Sequence, residues 1–232
     1  MLALSLMSCA LLVLVAAAGA EPRFMGWEDT NVTDRDSSPN CEDLPSRSRL
    51  VVSFVAPPGI EAVDELNAVV DFCIAPDPLP EWWRFDLGQG CREDSMRVFI
   101  DFSNGPFTHP VLWPTDADVV TTFVPGFEGN PALARIAVTI RPGQNGTGPL
   151  EAGTEYYAFG VEFGNPTTGC NGCDHPACFI VNSLTLTHSG GIYASDMDYR
   201  NYATWQGGPG NCPFIVPIRQ TTWGQIKAVF RE

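Results

Sequence analysis

Beyond residue 49 the chain is a series of short apolar segments separated by turns rich in Gly, Pro and Asn. Several of these segments alternate apolar and polar residues with the period of two that places successive side chains on opposite faces of a β-strand. The candidate strands, of five to nine residues each, are 51–55, 69–74, 83–87, 96–102, 119–124, 134–140, 156–163, 179–187 and 201–205. Short strands at this spacing predict an all-β fold, an antiparallel β-sandwich of immunoglobulin-like or jelly-roll type.

The N-terminal part of the chain departs from this pattern. Residues 1–20 form an apolar run that ends in small residues, the arrangement of a cleavable signal peptide, and a retained membrane anchor is the less favoured alternative. Residues 21–48 are polar and acidic with no apolar periodicity, which predicts a loosely ordered arm that is fixed through Trp27 and Cys41. Residues 49–232 are then expected to form a single β-sandwich domain.

A last apolar stripe lies close to the C-terminus. Trp223, Ile226 and Phe230 recur at helical spacing, and Thr222 precedes Gln225 by three residues, as in a capping box. This pattern predicts a short C-terminal helix, or alternatively a final edge segment, that covers one end of the sheets.

Composition narrows the class of ligand. The 232 residues include 44% hydrophobic side chains, enough for one well-buried domain. Acidic residues outnumber basic ones by 27 to 13, a formal net charge of -14, and such a surface repels phosphate backbones and anionic lipid headgroups. We therefore expect no nucleic-acid binding. After signal cleavage we also expect no membrane span, because no other apolar run approaches the length of a transmembrane helix.

The eight cysteines point to an oxidising compartment. Removal of the signal peptide removes Cys9 and leaves seven, so at least one thiol is free, intermolecular or bound to something else. Cys170, Cys173, Cys178 and His175 fall within nine residues, a set that allows zinc, redox activity or disulfides. Disulfides are favoured because exported thiols oxidise, because one tight loop rarely points four ligands at a metal, and because the motif lies between strands.

No catalytic motif stands out. Asp116 with Asp118, and Asp196 with Asp198, place carboxylates two apart as calcium loops do, but the glycine and distal glutamate of an EF-hand are missing, and solvated turns are the preferred interpretation. The 27 acidic residues also allow a carboxylate pair of the glycosidase kind, but the sequence singles none out. We therefore expect no cofactor, with zinc or calcium as the weaker alternatives.

Aromatic side chains are the candidate ligand contacts. Trp82, Trp113 and Trp205 are candidates for stacking on sugar rings if they line an exposed face, and core packing is the alternative. Trp82 and Trp83 point to opposite faces if their segment is extended. We therefore expect the core to bury Trp83 and to leave Trp82 exposed.

Six blocks of sequence, taken together, carry a resemblance: residues 53–59, 79–85, 152–159, 170–178, 201–208 and 222–227. They resemble a group of uncharacterised exported bacterial proteins of predicted β-sandwich type, known mainly from environmental genomes. The resemblance covers nearly the whole mature chain. It implies bacterial origin and export, and no activity is attached to the group.

The same resemblance bears on the cysteines. Members of the group carry a cysteine near Thr30 and another near Thr108, where this chain has none. This implies that the chain lacks one bridge of the group and that Cys73 is its free thiol. The remaining disulfide candidates are Cys41, Cys91, Cys170, Cys173, Cys178 and Cys212.

These observations predict a secreted, periplasmic or cell-surface protein that binds a ligand or has a structural role without catalysing a reaction. Carbohydrate or another exported protein is the expected partner. A secreted carbohydrate-active hydrolase that uses a carboxylate pair is the first alternative. A metal-binding domain built on residues 170–178 is the second.

Overall fold

The computed structural model describes residues 25–27, 35–42, 47–74, 78–86, 91–92, 95–164, 169–194 and 201–209. The strands in these ranges are β1 (Met25–Trp27), β2 (Asp36–Ser37), β3 (Arg47–Val55), β4 (Val63–Ile74), β5 (Met96–Phe99), β6 (Asp118–Pro125), β7 (Leu133–Arg141), β8 (Glu155–Gly164), β9 (Ala177–His188), β10 (Gly191–Ala194) and β11 (Tyr202–Trp205). Two short 3-10 helices, Glu81–Trp83 and Phe127–Gly129, lie in the connections.

The strands form two sheets that pack together, so the predicted antiparallel β-sandwich is confirmed. The first sheet has the order β1-β3-β8-β5, and the second has the order β2-β11-β9-β4-β7-β6, with β10 also paired to β9. Paired strands are antiparallel except β2 and β11, which run parallel. Neither sheet follows the order of the sequence, so many neighbouring strands come from distant parts of the chain.

Alternate residues of both sheets face one common core. On β3 the inward side chains are Leu50, Val52 and Phe54, and on β4 they include Leu66 and Phe72, all of them fully buried. The period of two in the sequence puts these side chains on one face. Each contributes about 1.5–3 kcal/mol to folding, so this core holds the outer faces of both sheets in fixed positions.

Most of the predicted strands are present, and one is wrong. Residues 83–86 do not form a strand, because the 3-10 helix Glu81–Trp83 takes the start of the predicted segment, whose last residue, 87, lies outside the described ranges. The indole Nε1 of Trp83 donates a hydrogen bond to the backbone oxygen of Gly172 at 3.1 Å, which ties the helix to a distant turn. Strand β5 ends at Phe99, three residues before the end predicted for it.

The described part of the acidic arm belongs to the sandwich. Strand β1 pairs with β3, and the buried Trp27 donates its indole Nε1–H to the backbone oxygen of Thr204 at 2.7 Å. Strand β2 pairs with β11, and Cys41 is bonded to Cys173. Two- and three-residue strands are too short to give a periodic signal, which is why the sequence did not predict them. The arm is nevertheless attached at the two residues, Trp27 and Cys41, that the sequence suggested.

Disulfides connect the turn before β9 to two distant segments. The bridges with both partners described are Cys41–Cys173 and Cys91–Cys170. Cys178 is also disulfide-bonded, and Cys212 lies outside the described residues. Cys73, which was expected to be the free thiol, is free and buried. Disulfides persist in oxidising compartments, so these bonds are consistent with a location outside the cytoplasm.

The expected signal peptide at 1–20 and the expected C-terminal helix around residues 222–230 both lie outside the described residues. Among the described helices, none has the length and apolar character needed to cross a membrane.

Candidate ligand-binding surface

The three tryptophans that were candidates for sugar stacking are buried. Trp82, Trp113 and Trp205 are 4%, 6% and 2% exposed. The expectation that Trp82 is exposed is wrong because its segment is not extended, and the 3-10 helix buries Trp82 and Trp83 together. The guanidinium of Arg92 covers the Trp82 ring, 4.0 Å from its centroid. These rings therefore stabilise the core and present no face to a sugar.

Trp113 and Trp205 are held by hydrogen bonds as well as by burial. The indole N–H of Trp113 donates to the backbone oxygen of Ala158 at 2.6 Å, and that of Trp205 donates to the backbone oxygen of Cys173 at 2.6 Å. A buried indole with a satisfied N–H has one fixed orientation. Both side chains are therefore core residues, and neither presents an exposed face for stacking on a sugar.

The cysteine segment 170–178 does not supply a zinc site. Cys170 and Cys173 each belong to a disulfide, and Cys178 is disulfide-bonded as well. Zinc binds cysteine as the thiolate, and a sulfur in a disulfide has no thiolate to give. The alternative of a metal-binding domain built on this segment is therefore wrong.

One of the two carboxylate pairs considered for calcium lies in the described part of the chain. Asp116 ties two loops together, because its Oδ2 accepts hydrogen bonds from the backbone N–H of Gln144 at 3.1 Å and from Nδ2 of Asn145 at 3.3 Å. In the described ranges, no group of three or more His, Cys, Asp or Glu side chains could hold a metal ion. Asp196 and Asp198 lie outside those ranges.

The outer face of the four-stranded sheet carries three arginines around one glutamate. Glu162 lies on β8 between Arg49 on β3 and Arg97 on β5, its direct partners in the two strand pairings. Arg47 is two residues before Arg49 and so lies on the same face. We call Arg47, Arg49, Arg97 and Glu162 the arginine cluster.

All three arginines donate hydrogen bonds to the Glu162 carboxylate. Arg49 Nε lies 2.7 Å and Arg47 Nη1 lies 3.2 Å from Oε2, and Arg97 Nε lies 2.8 Å from Oε1. Burial alone would raise the pKa of Glu162, but the hydrogen bonds from Arg49, Arg97 and Arg47 outweigh it and lower the pKa to about 2. The carboxylate is therefore ionised at neutral pH and pairs with all three arginines.

The arginines differ in how much of each side chain is available. The side chains of Arg97 and Arg47 are 62% and 48% exposed, whereas that of Arg49 is 15% exposed. Arg97 uses only Nε toward Glu162, and no described residue accepts a hydrogen bond from its Nη1 or Nη2. The outer edge of this guanidinium is a planar pair of donors that faces solvent, the geometry that matches an oxyanion.

Aromatic side chains fix the inner arginine from below. The Arg49 guanidinium lies over the Phe99 ring at 5.1 Å, and its Nη1 donates to the backbone oxygen of Asn104 at 3.4 Å. Phe99 in turn lies on Gly160, where an added Cβ would come within 2.2 Å of the ring. A side chain at position 160 would displace Phe99, so this glycine allows the close packing that positions Arg49.

A loop packs beside the arginine cluster on the same face. The Phe102 ring stacks on Tyr157 at 4.7 Å between centroids, and Phe107 contacts both rings edge-on. The Tyr157 hydroxyl accepts a hydrogen bond from the backbone N–H of Thr108 at 3.1 Å. These contacts form a second small core outside the sheet, so the surface next to the arginines is held in place before any ligand binds.

Sequence reasoning missed the arginine cluster. One signal was present: Glu162 lies between Val161 and Phe163, after an uncharged and mostly apolar run in β8, and a charge there requires a partner. The identity of that partner depends on strand pairing, because Arg49 is 113 residues away in the chain. Spacing along the sequence does not reveal such a contact.

Comparisons with known proteins give structural similarity at a low level. No protein-family model and no curated protein matches the chain. A cohesin module from the Clostridium perfringens ATCC13124 family 33 glycoside hydrolase aligns over 79% of this chain and 94% of its own, with 10% identity and a TM-score of 0.30. The Iho670 flagellar-like filament aligns over 78% and 86%, with 11% identity and a TM-score of 0.16. Scores this low carry no functional argument.

Proposed function

We propose that this protein is an exported, non-catalytic binding protein whose arginine cluster holds the carboxylate of an acidic sugar. The observation that carries the proposal is the pair of partly exposed arginines, Arg47 and Arg97, on a fixed sheet face in a chain of net charge -14. Their guanidinium groups are held close together by Glu162, and both would attract an incoming anion.

The exposed part of the cluster favours a carboxylate. The free donors of Arg97 form a planar fork that pairs with two oxygens at once, and the partly exposed Arg47 adds a second cation close by. Bidentate pairing of this kind fixes the direction of the ligand as well as its charge.

The negative charge of the rest of the protein disfavours ligands that are densely anionic. A polyanion would extend beyond the arginine cluster and be repelled by the acidic surface around it. A single carboxylate held in the cluster is spared most of that repulsion, because salt screens charges more than about 8 Å away at physiological ionic strength. A glycan with isolated uronate residues presents one carboxylate at a time and avoids that repulsion. We therefore favour sparsely charged acidic glycans over dense polyanions such as nucleic acids.

The ionised, arginine-paired carboxylate of Glu162 favours a binding role over a hydrolytic one. A glycosidase needs a general acid that holds its proton near neutral pH, which requires a raised pKa. The pKa of Glu162 is lowered to about 2, and three arginines occupy its oxygens. This carboxylate is suited to holding the arginines in place and unsuited to giving a proton to a leaving group.

An array of neutral, uronate-bearing and sulfated glycans tests the proposal, followed by calorimetry with the best uronate glycan and its carboxyl-reduced form. We expect binding that requires the carboxylate and that weakens about tenfold in Arg97→Gln. Arg141→Gln is the matched control, because Arg141 is also exposed and paired with one glutamate, but on the other sheet. An absence of binding to every acidic glycan, or equal losses of affinity in both variants, would contradict the proposal. Tighter binding to aspartate-rich peptides would replace the sugar with a protein partner.

A further inference from the structure

The seven-stranded sheet ends in a strand that has a neighbour on one side only. Strand β6 pairs with β7 along its whole length, from Asp118 opposite Arg141 to Pro125 opposite Ala134. No described residue forms a backbone hydrogen bond with the other side of β6. Alternate residues of this eight-residue strand therefore present unpaired backbone groups on its outer side, where Pro125 contributes a C=O but no N–H.

The other edge strands are short or charged. Strand β1 has three residues, β2 has two, and β5 and β10 have four each, with Arg97 in β5. Shortness and charge are the features by which natural sheets prevent unwanted pairing. Strand β6 is longer, and its residues 119–124 contain no charge, glycine or proline. Five of these six side chains are the β-branched Val or Thr, which favour extended pairing.

The outward side chains of β6 are also incompletely covered. Val120 and Val124 are 49% and 38% exposed, and Thr122 lies exposed between them on the same face. These three side chains form an apolar and uncharged row beside the open backbone edge. An added strand would satisfy the backbone groups and shield the two valines at once.

We propose that β6 pairs antiparallel with β6 of a second copy of this chain, across a two-fold axis at Thr122. In that register Val120 faces the partner's Val124, and each Thr122 faces the partner's Thr122. The alternation of side chains keeps the outer face of one sheet continuous with the outer face of the other. The two seven-stranded sheets thereby become one.

The composition of the strand favours a second copy over a foreign strand. On the outer face the two-fold register places valine on valine and threonine on threonine, and each Asp118 faces the partner's Gly126 rather than another carboxylate. On the inner face Thr121 meets the partner's Phe123. A strand that meets its own copy needs this self-complementarity, and a strand that meets a different protein does not. The arginine cluster lies on the other sheet, so this pairing does not depend on the proposed function.

Net charge sets the expected salt dependence. Two copies of charge -14 repel each other, while residues 119–124 contribute no charge to the contact. Salt screens the general repulsion and leaves hydrogen bonding and valine burial largely intact. Dimerisation is therefore expected to strengthen from low to high ionic strength, the opposite of a contact made by ion pairs.

A charge-swap experiment at the two-fold axis tests the pairing. Sedimentation velocity of the mature protein over a hundredfold range of concentration should show a monomer–dimer equilibrium. Thr122→Lys and Thr122→Glu should each weaken the dimer roughly fivefold or more, because identical charges then face each other. An equimolar mixture of the two variants should form the dimer again. Thr185→Lys, on the outer face of the inner strand β9, is the control and should dimerise like the wild type.

The outcomes separate this proposal from its alternatives. A wild-type protein that stays monomeric up to its solubility limit overturns the proposal, and so does a mixture that fails to restore the dimer. Disulfide trapping tests the register: Thr122→Cys should crosslink two copies, and Thr121→Cys, on the opposite face, should not. A dimer that forms without crosslinking at position 122 pairs through another surface and also overturns the proposal. Circular dichroism of each variant confirms that the fold is intact.

Discussion

Arg135 holds the fully buried carboxylate of Asp71 with two hydrogen bonds, 2.7 Å from Nε to Oδ1 and 2.8 Å from Nη2 to Oδ2. The two residues face each other across the pairing of β4 with β7, and Asn182 on β9 donates a third hydrogen bond to the same carboxylate. The Arg135 guanidinium lies over the Phe127 ring at 4.3 Å, which keeps it in place. Side chains from three neighbouring strands therefore meet at the Asp71 carboxylate.

Removal of this arginine should be costly. In Arg135→Met the Asp71 carboxylate stays buried without its counter-ion, and the free energy of unfolding should fall by about 3 kcal/mol. Arg141→Met removes an exposed pair with Glu65, and the loss should stay below about 1 kcal/mol. Urea denaturation of both variants measures the difference, and equal losses would show that burial of Asp71 does not matter.

Because of the arginine cluster, the free energy of unfolding should depend on pH in the acidic range. The pKa of Glu162 is about 2 in the folded protein and close to about 4.3 in an unfolded chain, so the folded state favours the ionised form. A lowered pKa gives stability that is complete above the unfolded value and is lost as the pH falls from about 5 toward 2.

Glu162→Gln removes that contribution, so its unfolding free energy should fall less steeply than that of the wild type over this pH range. Chemical denaturation at a series of pH values tests the difference in slope. Identical slopes would mean that the three arginines do not lower the pKa of this carboxyl group in solution.

Gly160 should affect ligand binding without touching the ligand. Gly160→Ala places a methyl group against the Phe99 ring, which must move together with Arg49 above it. We expect a loss of about 1–3 kcal/mol in stability and weaker binding to acidic glycans. Gly169→Ala is the control, because nothing lies within 4 Å of its added Cβ. Calorimetry that finds equal affinity for both variants would remove Phe99 from the positioning of Arg49.

The bond between Cys41 and Cys173 should hold the acidic arm to the sandwich. It closes a span of 132 residues, and the double variant Cys41→Ala/Cys173→Ala should lose on the order of 2–4 kcal/mol of unfolding free energy. Cys73→Ala breaks no disulfide and should lose less. Thermal unfolding without reductant compares the two, and a larger loss in Cys73→Ala would contradict this account.

The sequence predicts the fold better than the surface. The rule that short apolar runs bounded by turn residues form strands correctly predicts 51–55 and 69–74, which lie in β3 and β4 with Phe54 and Phe72 fully buried. The same rule failed for Trp82, since a 3-10 helix tied to a distant turn replaced the extended backbone that the rule assumes. The arginine cluster depends on which strands become neighbours, and alternation within a strand carries no information about its neighbours.

The buried thiol of Cys73 makes opening at one end of strand β4 measurable. It lies opposite Cys178 in the pairing of β4 with β9, and burial raises its pKa to about 11, although a hydrogen bond from the Cys178 backbone opposes the shift. The thiolate is the form that attacks alkylating reagents, so this sulfur stays unreactive while the end of β4 remains in place. Its rate of labelling therefore reports how often this end of β4 separates from β9, a local stability that unfolding of the whole chain does not resolve.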